Sequence, residues 1–185
     1  MGVVRQVQLV ILCEDTQHEA FCRRFLKATG WSDRSIRVVK APARLGAAEQ
    51  FVRRHFPEEL QAHRSRHVDQ ALVVMIDGDN RGVRGRLSEL DAACRSAGVA
   101  ERARNERVGV FVPTWNIETW LAYLDGDQVN EERPDYPSLA RERDCQAHVQ
   151  VLHEMCVVRD LREPAPPSLI AACDEYRTRL AVEPQ

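Results

Sequence analysis

The sequence predicts an α/β fold in which about four mainly parallel strands form one sheet with helices on both faces. Short runs rich in Val, Ile and Leu alternate with longer stretches whose apolar residues recur at helical spacing. The run at 71–76 has no polar alternation, which is typical of a strand buried on both faces of a parallel sheet. A chain of 185 residues is long enough to give such a sheet one proper core.

Strand-like and helix-like segments alternate along the first two thirds of the chain. The predicted order is strand 3–12, helix 18–29, strand 35–39, helix 45–56, polar helix 58–66, strand 71–76, helix 85–97 and strand 108–112. Pro57 is expected to separate the two consecutive helices. This alternation favours right-handed crossovers, so the carboxyl ends of the strands should share one edge of the sheet.

The last third of the chain is predicted to be helical. Thr114 or Asn116 is expected to cap a helix that reaches residue 125, and two prolines with many charges indicate an irregular segment over 127–143. Helices are predicted over 145–158 and 168–180. We therefore expect an α/β domain at 1–125 and a helical C-terminal extension at 126–185 that packs on it.

The composition of the chain indicates which partners and which cellular location to expect. A net charge of -2 provides no global attraction to nucleic acid, so a polyanionic partner must be bound by local charge. No apolar stretch approaches the roughly 20 residues that span a bilayer, and the first residues read as a strand, not as a signal peptide. We expect a cytoplasmic protein with no membrane partner. The six cysteines form no CxxC pair and are predicted to be reduced core residues.

Carboxylates follow two of the predicted strands. Asp77 and Asp79 come directly after the strand at 71–76, and Glu14 comes after the first strand. If the backbone stays extended through Gly78, both aspartates point to the same side. The three carboxylates should then meet at one sheet edge, where they can hold a hard cation such as Mg²⁺ or Mn²⁺. The alternative is that these residues form only a solvated turn.

Other polar residues are weaker candidates for the same site. Glu118 falls in the first turn of a helix, where it can stabilise the helix dipole or reach the metal ions. His18 can act as an acid or base, although a histidine at a polar helix start is more often a surface residue. Lys40, Arg81 and Arg84 can bind phosphate or remain solvated.

The ordered combination of these motifs resembles the Toprim fold. The matching pattern is a strand ending in Glu14, a helix, and a strand ending in Asp77 and Asp79 with Gly82 three residues later. The segment Ile117-Glu118-x-Trp120 after a proline is similar to one in small Toprim-like families, including RloB-like proteins, and the group also contains the OLD-type nucleases. The resemblance covers roughly residues 3–125.

The resemblance implies a nuclease. Glu14, Asp77 and Asp79 would bind Mg²⁺ or Mn²⁺ for phosphodiester hydrolysis, in a defence or repair system such as phage defence. This chain departs from the small families at the first turn. Their glycine, threonine and second acid are replaced by Asp15, Gln17 and His18, and loss of the glycine should change how closely the backbone approaches a phosphate.

Two other functions remain open on sequence grounds. One is a non-catalytic nucleic-acid or nucleotide binding subunit of a larger assembly, with a protein partner such as an ATPase subunit. The other is a receiver-like or flavodoxin-like domain whose acids bind Mg²⁺ for regulation, against which the segment Ile117-Glu118-x-Trp120 argues. The sequence leaves open whether the substrate is DNA or RNA and whether the chain forms a homodimer.

Overall fold

The fold is α/β, as the sequence predicts, and a computed structural model describes residues 7–44, 46–66 and 69–181. Its elements are β1 (Leu9–Cys13), α1 (Thr16–Ala28), β2 (Ile36–Lys40), α2 (Ala48–Ser65), β3 (Ala71–Met75), α3 (Gly82–Ser96), β4 (Val108–Phe111), α4 (Glu118–Leu124), α5 (Gln146–His153) and α6 (Pro167–Glu175). A 3-10 turn precedes β2, and one π-helical turn extends each of α5 and α6. Positions 3–6 of the predicted first strand lie outside the described residues. Within these ranges, no helix combines the length and apolar character needed to cross a membrane.

All four strands are parallel, in the order β2-β1-β3-β4. The central pair runs in register from Leu9 beside Ala71 to Cys13 beside Met75. The carboxyl ends of β1 and β3 are therefore neighbours, and Glu14 leaves the sheet beside the chain that follows Met75. The predicted parallel topology is confirmed.

Strand residues alternate between two apolar layers, because successive side chains point to opposite faces of a sheet. Leu9, Ile11 and Cys13 of β1 pack with residues of α1, α4, α5 and α6. Val10 and Leu12 pack with residues of α2 and α3 on the other face. Every residue of β1 and β3 is buried, which explains their unbroken apolar sequences.

The prediction that Pro57 separates two helices is wrong, since α2 continues through it. Val52, Phe56 and Leu60 recur every four residues and are fully buried against the sheet. A proline inside a helix costs about 3 kcal/mol because it removes a hydrogen bond and crowds the preceding turn. Each buried apolar side chain contributes about 1.5–3 kcal/mol, so the continuous stripe outweighs the proline.

The cysteine prediction is correct for four residues and wrong for two. Cys13, Cys22, Cys94 and Cys145 are free and buried, whereas Cys156 and Cys173 are joined in a disulfide with a Cα–Cα distance of 5.5 Å. The bond connects the turn after α5 to α6. Packing of both segments on one face of the sheet brings together two cysteines 17 positions apart, a distance at which sequence spacing carries no signal.

The chain after α4 is fastened to the carboxyl edge of the sheet by one buried hydroxyl. Ser168 Oγ accepts a hydrogen bond of 2.7 Å from Trp120 Nε1, and the Ser168 amide donates to the Glu131 carboxylate at 3.1 Å. Glu131 also accepts from Thr114 Oγ1 at 3.2 Å. The segment 127–143 contains neither helix nor strand, as predicted, and through Glu131 it lies beside the loop that follows β4.

Gly78 is expected to be intolerant of any side chain. Its amide donates to the Pro113 carbonyl at 2.8 Å, and a Cβ at this position would lie 2.8 Å from the same oxygen. Because the clash is with backbone, Gly78→Ala should lower the free energy of unfolding by about 1–3 kcal/mol in urea denaturation. Gly46→Ala is the control, since its Cβ would contact nothing. Equal stability of the two variants would contradict this prediction.

Candidate functional site

Glu14 and Asp77 meet at the carboxyl edge of the sheet. Glu14 directly follows β1, and Asp77 lies two residues beyond the end of β3. The Asp77 amide donates a hydrogen bond of 2.6 Å to Glu14 Oε1. The two residues that the sequence places on neighbouring strands are thus in direct contact.

His18 is a third member of this group. Its ring is fully buried, and Nε2 lies 3.0 Å from Asp77 Oδ1. Asp15 fixes its position, because Asp15 Oδ1 caps α1 by accepting from the His18 amide at 2.8 Å. Burial opposes a charge on the imidazole, but attraction to Asp77 prevails and raises the pKa of His18 to about 10. His18 is therefore a buried counter-ion of Asp77, neither a surface residue nor a free base.

Burial also shifts the titration of Glu14. It raises the pKa of the Glu14 carboxyl to about 7, while neighbouring His18 opposes the shift and the Asp77 charge adds to it. Glu14 therefore changes protonation near neutral pH. A carboxyl whose pKa is raised by burial and by the charge of a neighbouring acid is a feature of functional sites.

The expectation of extended backbone through Asp79 is wrong. Asp79 has φ of +43° and forms an isolated antiparallel bridge with Trp115, whose amide and carbonyl groups pair with its own at 3.3 and 2.9 Å. The bridge connects the chain after β3 to the loop after β4. Asp79 therefore does not continue the regular alternation of side chains along the extended strand. The Asp79 side chain is 58% exposed and forms an ion pair with Arg86.

Arg86 is the residue that sequence reasoning missed. Its guanidinium is 5% exposed and donates through Nε to the Asp77 carbonyl at 2.7 Å, and also to the carboxylates of Asp79 and Glu89. A usable signal exists in the sequence. Arg86 shares a four-residue spacing with Leu90 and Cys94, the buried stripe of α3, so its charge had to find partners inside the protein.

The turn between β3 and α3 explains the glycine at 82. The backbone amides of Arg81 and Gly82 donate to the Gly78 carbonyl at 2.9 and 3.0 Å. Gly82 adopts φ of +62°, a conformation that side chains disfavour. The turn therefore favours a glycine three residues after Asp79.

The predicted phosphate-binding residues differ in their surroundings. Lys40 Nζ lies 2.7 Å from the Glu19 carboxylate, close to the first turn of α1. Arg81 is 63% exposed and its Nε lies 3.5 Å from Glu89. Arg84 is exposed on α3 and forms no ion pair with any residue in the described part of the chain. A phosphate role for each remains a prediction.

Glu118 and its helix are arranged differently from expectation. No side chain caps α4, since Thr114 Oγ1 binds Glu131 and Asn116 Oδ1 has no hydrogen-bond partner among the described residues. Glu118 lies in the first turn and accepts a hydrogen bond of 2.9 Å from Ser138 Oγ. The irregular segment thus reaches Glu118. A metal-binding role for Glu118 remains a prediction.

The carboxylates are neutralised by cations of the protein itself. His18 pairs with Asp77, and Arg86 pairs with Asp79. Across 7–44, 46–66 and 69–181, no three side chains of His, Cys, Asp or Glu are arranged so that they could hold a metal ion. In this arrangement the site keeps its acids at one edge, with Asp79 directed to Arg86.

The pKa of Glu14 predicts a loss of stability as the pH rises. Because the folded-state pKa of about 7 exceeds the ordinary 4.5, the folded protein binds more protons between these values. Glu14 therefore stabilises the fold below pH 4.5, and that contribution disappears as the pH rises through 7. In metal-free urea titrations, Glu14→Gln should flatten the stability profile between pH 4.5 and 7. Glu58→Gln, at an exposed acid of α2, should retain the parent profile, and parallel profiles for Glu14→Gln and parent would contradict the shift.

Comparison with known proteins adds no family assignment: no protein-family model, no curated protein and no solved structure matches this chain.

Proposed function

We propose that this chain is a Mg²⁺- or Mn²⁺-dependent phosphodiesterase that acts on nucleic acid. One observation carries the proposal: Glu14 and Asp77, from neighbouring parallel strands, are joined by a hydrogen bond at the carboxyl edge of the sheet, with Asp79 two residues further on. Ligands of open α/β sheets bind at that edge. The Toprim resemblance of the same residues supports the reaction class.

The donor set fits a hard divalent cation in its chemistry. Glu14, Asp77 and Asp79 supply carboxylate oxygens, the ligands that Mg²⁺ and Mn²⁺ prefer. Asp79 has to leave Arg86 for the set to close, and its 58% exposure leaves the side chain room to rotate. A bound cation would neutralise the phosphate and make hydroxide available near neutral pH.

The remaining residues of the site position these ligands. His18 holds the Asp77 carboxylate through Nε2, and Arg86 holds the Asp77 carbonyl through Nε, so that both ends of this residue are fixed. The Asp77 amide orients Glu14. Held in this way, Glu14 and Asp77 need little reordering when a substrate phosphate arrives, and only Asp79 has to rotate.

A second candidate is a non-catalytic nucleic-acid or nucleotide binding subunit of a larger assembly. The two protein cations favour it, because His18 and Arg86 already neutralise Asp77 and Asp79. In that case the basic groups near the edge would bind phosphate without hydrolysing it. Hydrolysis by the isolated chain separates the two candidates.

Metal binding is expected to raise the thermal midpoint of the protein. Mn²⁺ that binds only the folded state stabilises it by about 2.7 kcal/mol at one hundred times its dissociation constant. Asp79→Asn should remove most of this rise, because it removes a proposed ligand without unpairing the buried His18. Asp127→Asn, an exposed acid of the irregular segment, should respond to Mn²⁺ as the parent does. An equal rise in all three proteins, or none at millimolar Mn²⁺ in calorimetry, would refute the metal site.

Nuclease activity is expected to require the same metal ligands. Labelled single-stranded and duplex DNA and RNA incubated with the parent and Mn²⁺ should be cleaved, and chelation should stop cleavage. Asp77→Asn should lower the rate at least about 100-fold, since the variant loses a ligand carboxylate and leaves His18 unpaired. If the parent binds these substrates but cleaves none of them, the second candidate function replaces the first.

A further inference from the structure

We propose that a phosphodiester strand leaves the acid site along α1, held through its phosphates by a basic trough. The trough is defined here by Arg23, Arg24, Lys27 and Arg143. This inference rests on the proposed function, because it names how the same site would receive its polymer. It also makes a separate claim, since binding along the trough does not require cleavage.

Two neighbouring clefts extend from the site. The first, of about 360 Å³, is lined by Glu14, Thr16, Lys40 and the loop after β2. The second, also of about 360 Å³, contains the basic trough and shares Thr16 with the first. Lys40 lies where they meet, with Nζ 3.1 Å from Thr16 Oγ1. We infer that a strand bound at Glu14 crosses Thr16 and the Lys40–Glu19 pair to reach the face of α1.

The face of the helix gives this route its length. Thr16, Ala20, Arg23 and Lys27 are spaced by four, three and four residues, which places them on one side of α1. At about 1.5 Å per residue, the distance along the axis from Thr16 to Lys27 is about 17 Å. A path of this length is longer than one nucleotide and suits a polymer better than a single nucleotide.

The charge balance of the trough favours an anion. Its two carboxylates are already paired, since Glu19 lies 2.7 Å from Lys40 and Asp33 lies 2.9 Å from Arg23. Arg24 donates to neutral oxygens, and within the described chain it has no carboxylate partner. Arg143 likewise forms no ion pair within the residues that the structure covers. The guanidinium groups of Arg24 and Arg143 are therefore available for phosphates. Lys27 lies 3.8 Å from Asp33, a carboxylate that Arg23 already pairs, so its charge is also available for a phosphate contact.

The sign of the charge changes along the path. The end next to the sheet carries a net negative charge, from Glu14, Asp15 and Glu142 against Lys40 and Arg44. The end along α1 carries a net positive charge, from Arg23, Arg24, Lys27 and Arg143 against Glu19 and Asp33. A phosphate is repelled at the acid end in the absence of a cation and attracted at the basic end. The basic end should therefore supply most of the binding energy. None of the residues found to line either cleft is aromatic, so the contacts should be with the backbone of the strand and insensitive to base sequence.

The test is the salt dependence of binding to a labelled mixed-sequence single-stranded oligonucleotide, measured by anisotropy in EDTA. Lys27→Glu with Arg143→Glu reverses two exposed charges in the trough. We expect this double variant to bind at least about tenfold more weakly at about 0.1 M salt. The slope of log K against log salt should fall by about 1.4, because each phosphate contact with a single strand contributes about 0.7.

A matched control makes the same charge change elsewhere. Arg54→Glu with Arg104→Glu reverses two exposed charges that line neither cleft: one on α2, which packs on the opposite face of the sheet from α1, and one in the loop before β4. This control should bind within about twofold of the parent. Equal weakening of both double variants, unchanged binding by the trough variant, or no binding by the parent at about 100 μM protein would each overturn the trough.

Two further measurements keep this inference distinct from the proposed function. Asp79→Asn in EDTA should bind the oligonucleotide at least as tightly as the parent, because it removes a charge that repels phosphate. If the parent never cleaves but the trough variant still loses affinity, the proposed nuclease function is refuted and the basic trough is supported. If cleavage is normal and the trough variant binds like the parent, the trough alone fails.

Arg24→Gln, which keeps a donor toward Gln146, should reproduce part of the loss in affinity; unchanged affinity would count against the trough.

Discussion

The hydrogen bond from the Asp77 amide to Glu14 is the contact on which the candidate site depends. It exists because β1 and β3 are parallel neighbours in register, so that residues leaving Cys13 and Met75 emerge side by side. It also brings two acids together in a partly buried place, where neither burial nor mutual repulsion favours charge. Two cationic side chains offset that cost, because His18 pairs with Asp77 and Arg86 pairs with Asp79.

These two buried cations reach the acids from opposite faces of the sheet. His18 comes from α1, whose apolar residues pack in one layer, and Arg86 comes from α3, whose apolar residues pack in the other. Removing one member of a buried ion pair is strongly destabilising, since the remaining charge has no partner. Asp77 is the acid for which this cost applies most directly, because its loss would leave the fully buried His18 without a partner.

Sequence reasoning predicted the strands, their parallel orientation and the edge at which Glu14 and Asp77 meet. These features depend on unbroken apolar runs and on the handedness of crossovers. It failed where tertiary contacts decide. The left-handed backbone of Asp79 results from a bridge to Trp115, 36 positions later, which no local pattern of residues reveals. Arg86 was missed for another reason: its place on the buried stripe of α3 was readable, but an arginine is by default assigned to solvent.

Asp15 and His18, two positions at which the first turn departs from the proposed Toprim resemblance, act as one unit. Asp15 caps α1, and the cap fixes His18. Under the proposed resemblance, Asp15 takes the place of a glycine and His18 that of an acid. An acid at that position would add negative charge to Glu14 and Asp77, whereas His18 removes it. With Glu14, Asp77 and Asp79 ionised and His18 and Arg86 charged, one net negative charge remains among these five groups. Such a site attracts a divalent cation less strongly than three bare carboxylates would, but it also repels a phosphodiester less. The balance between those two effects is what separates the two proposed functions, hydrolysis of a nucleic acid and binding alone.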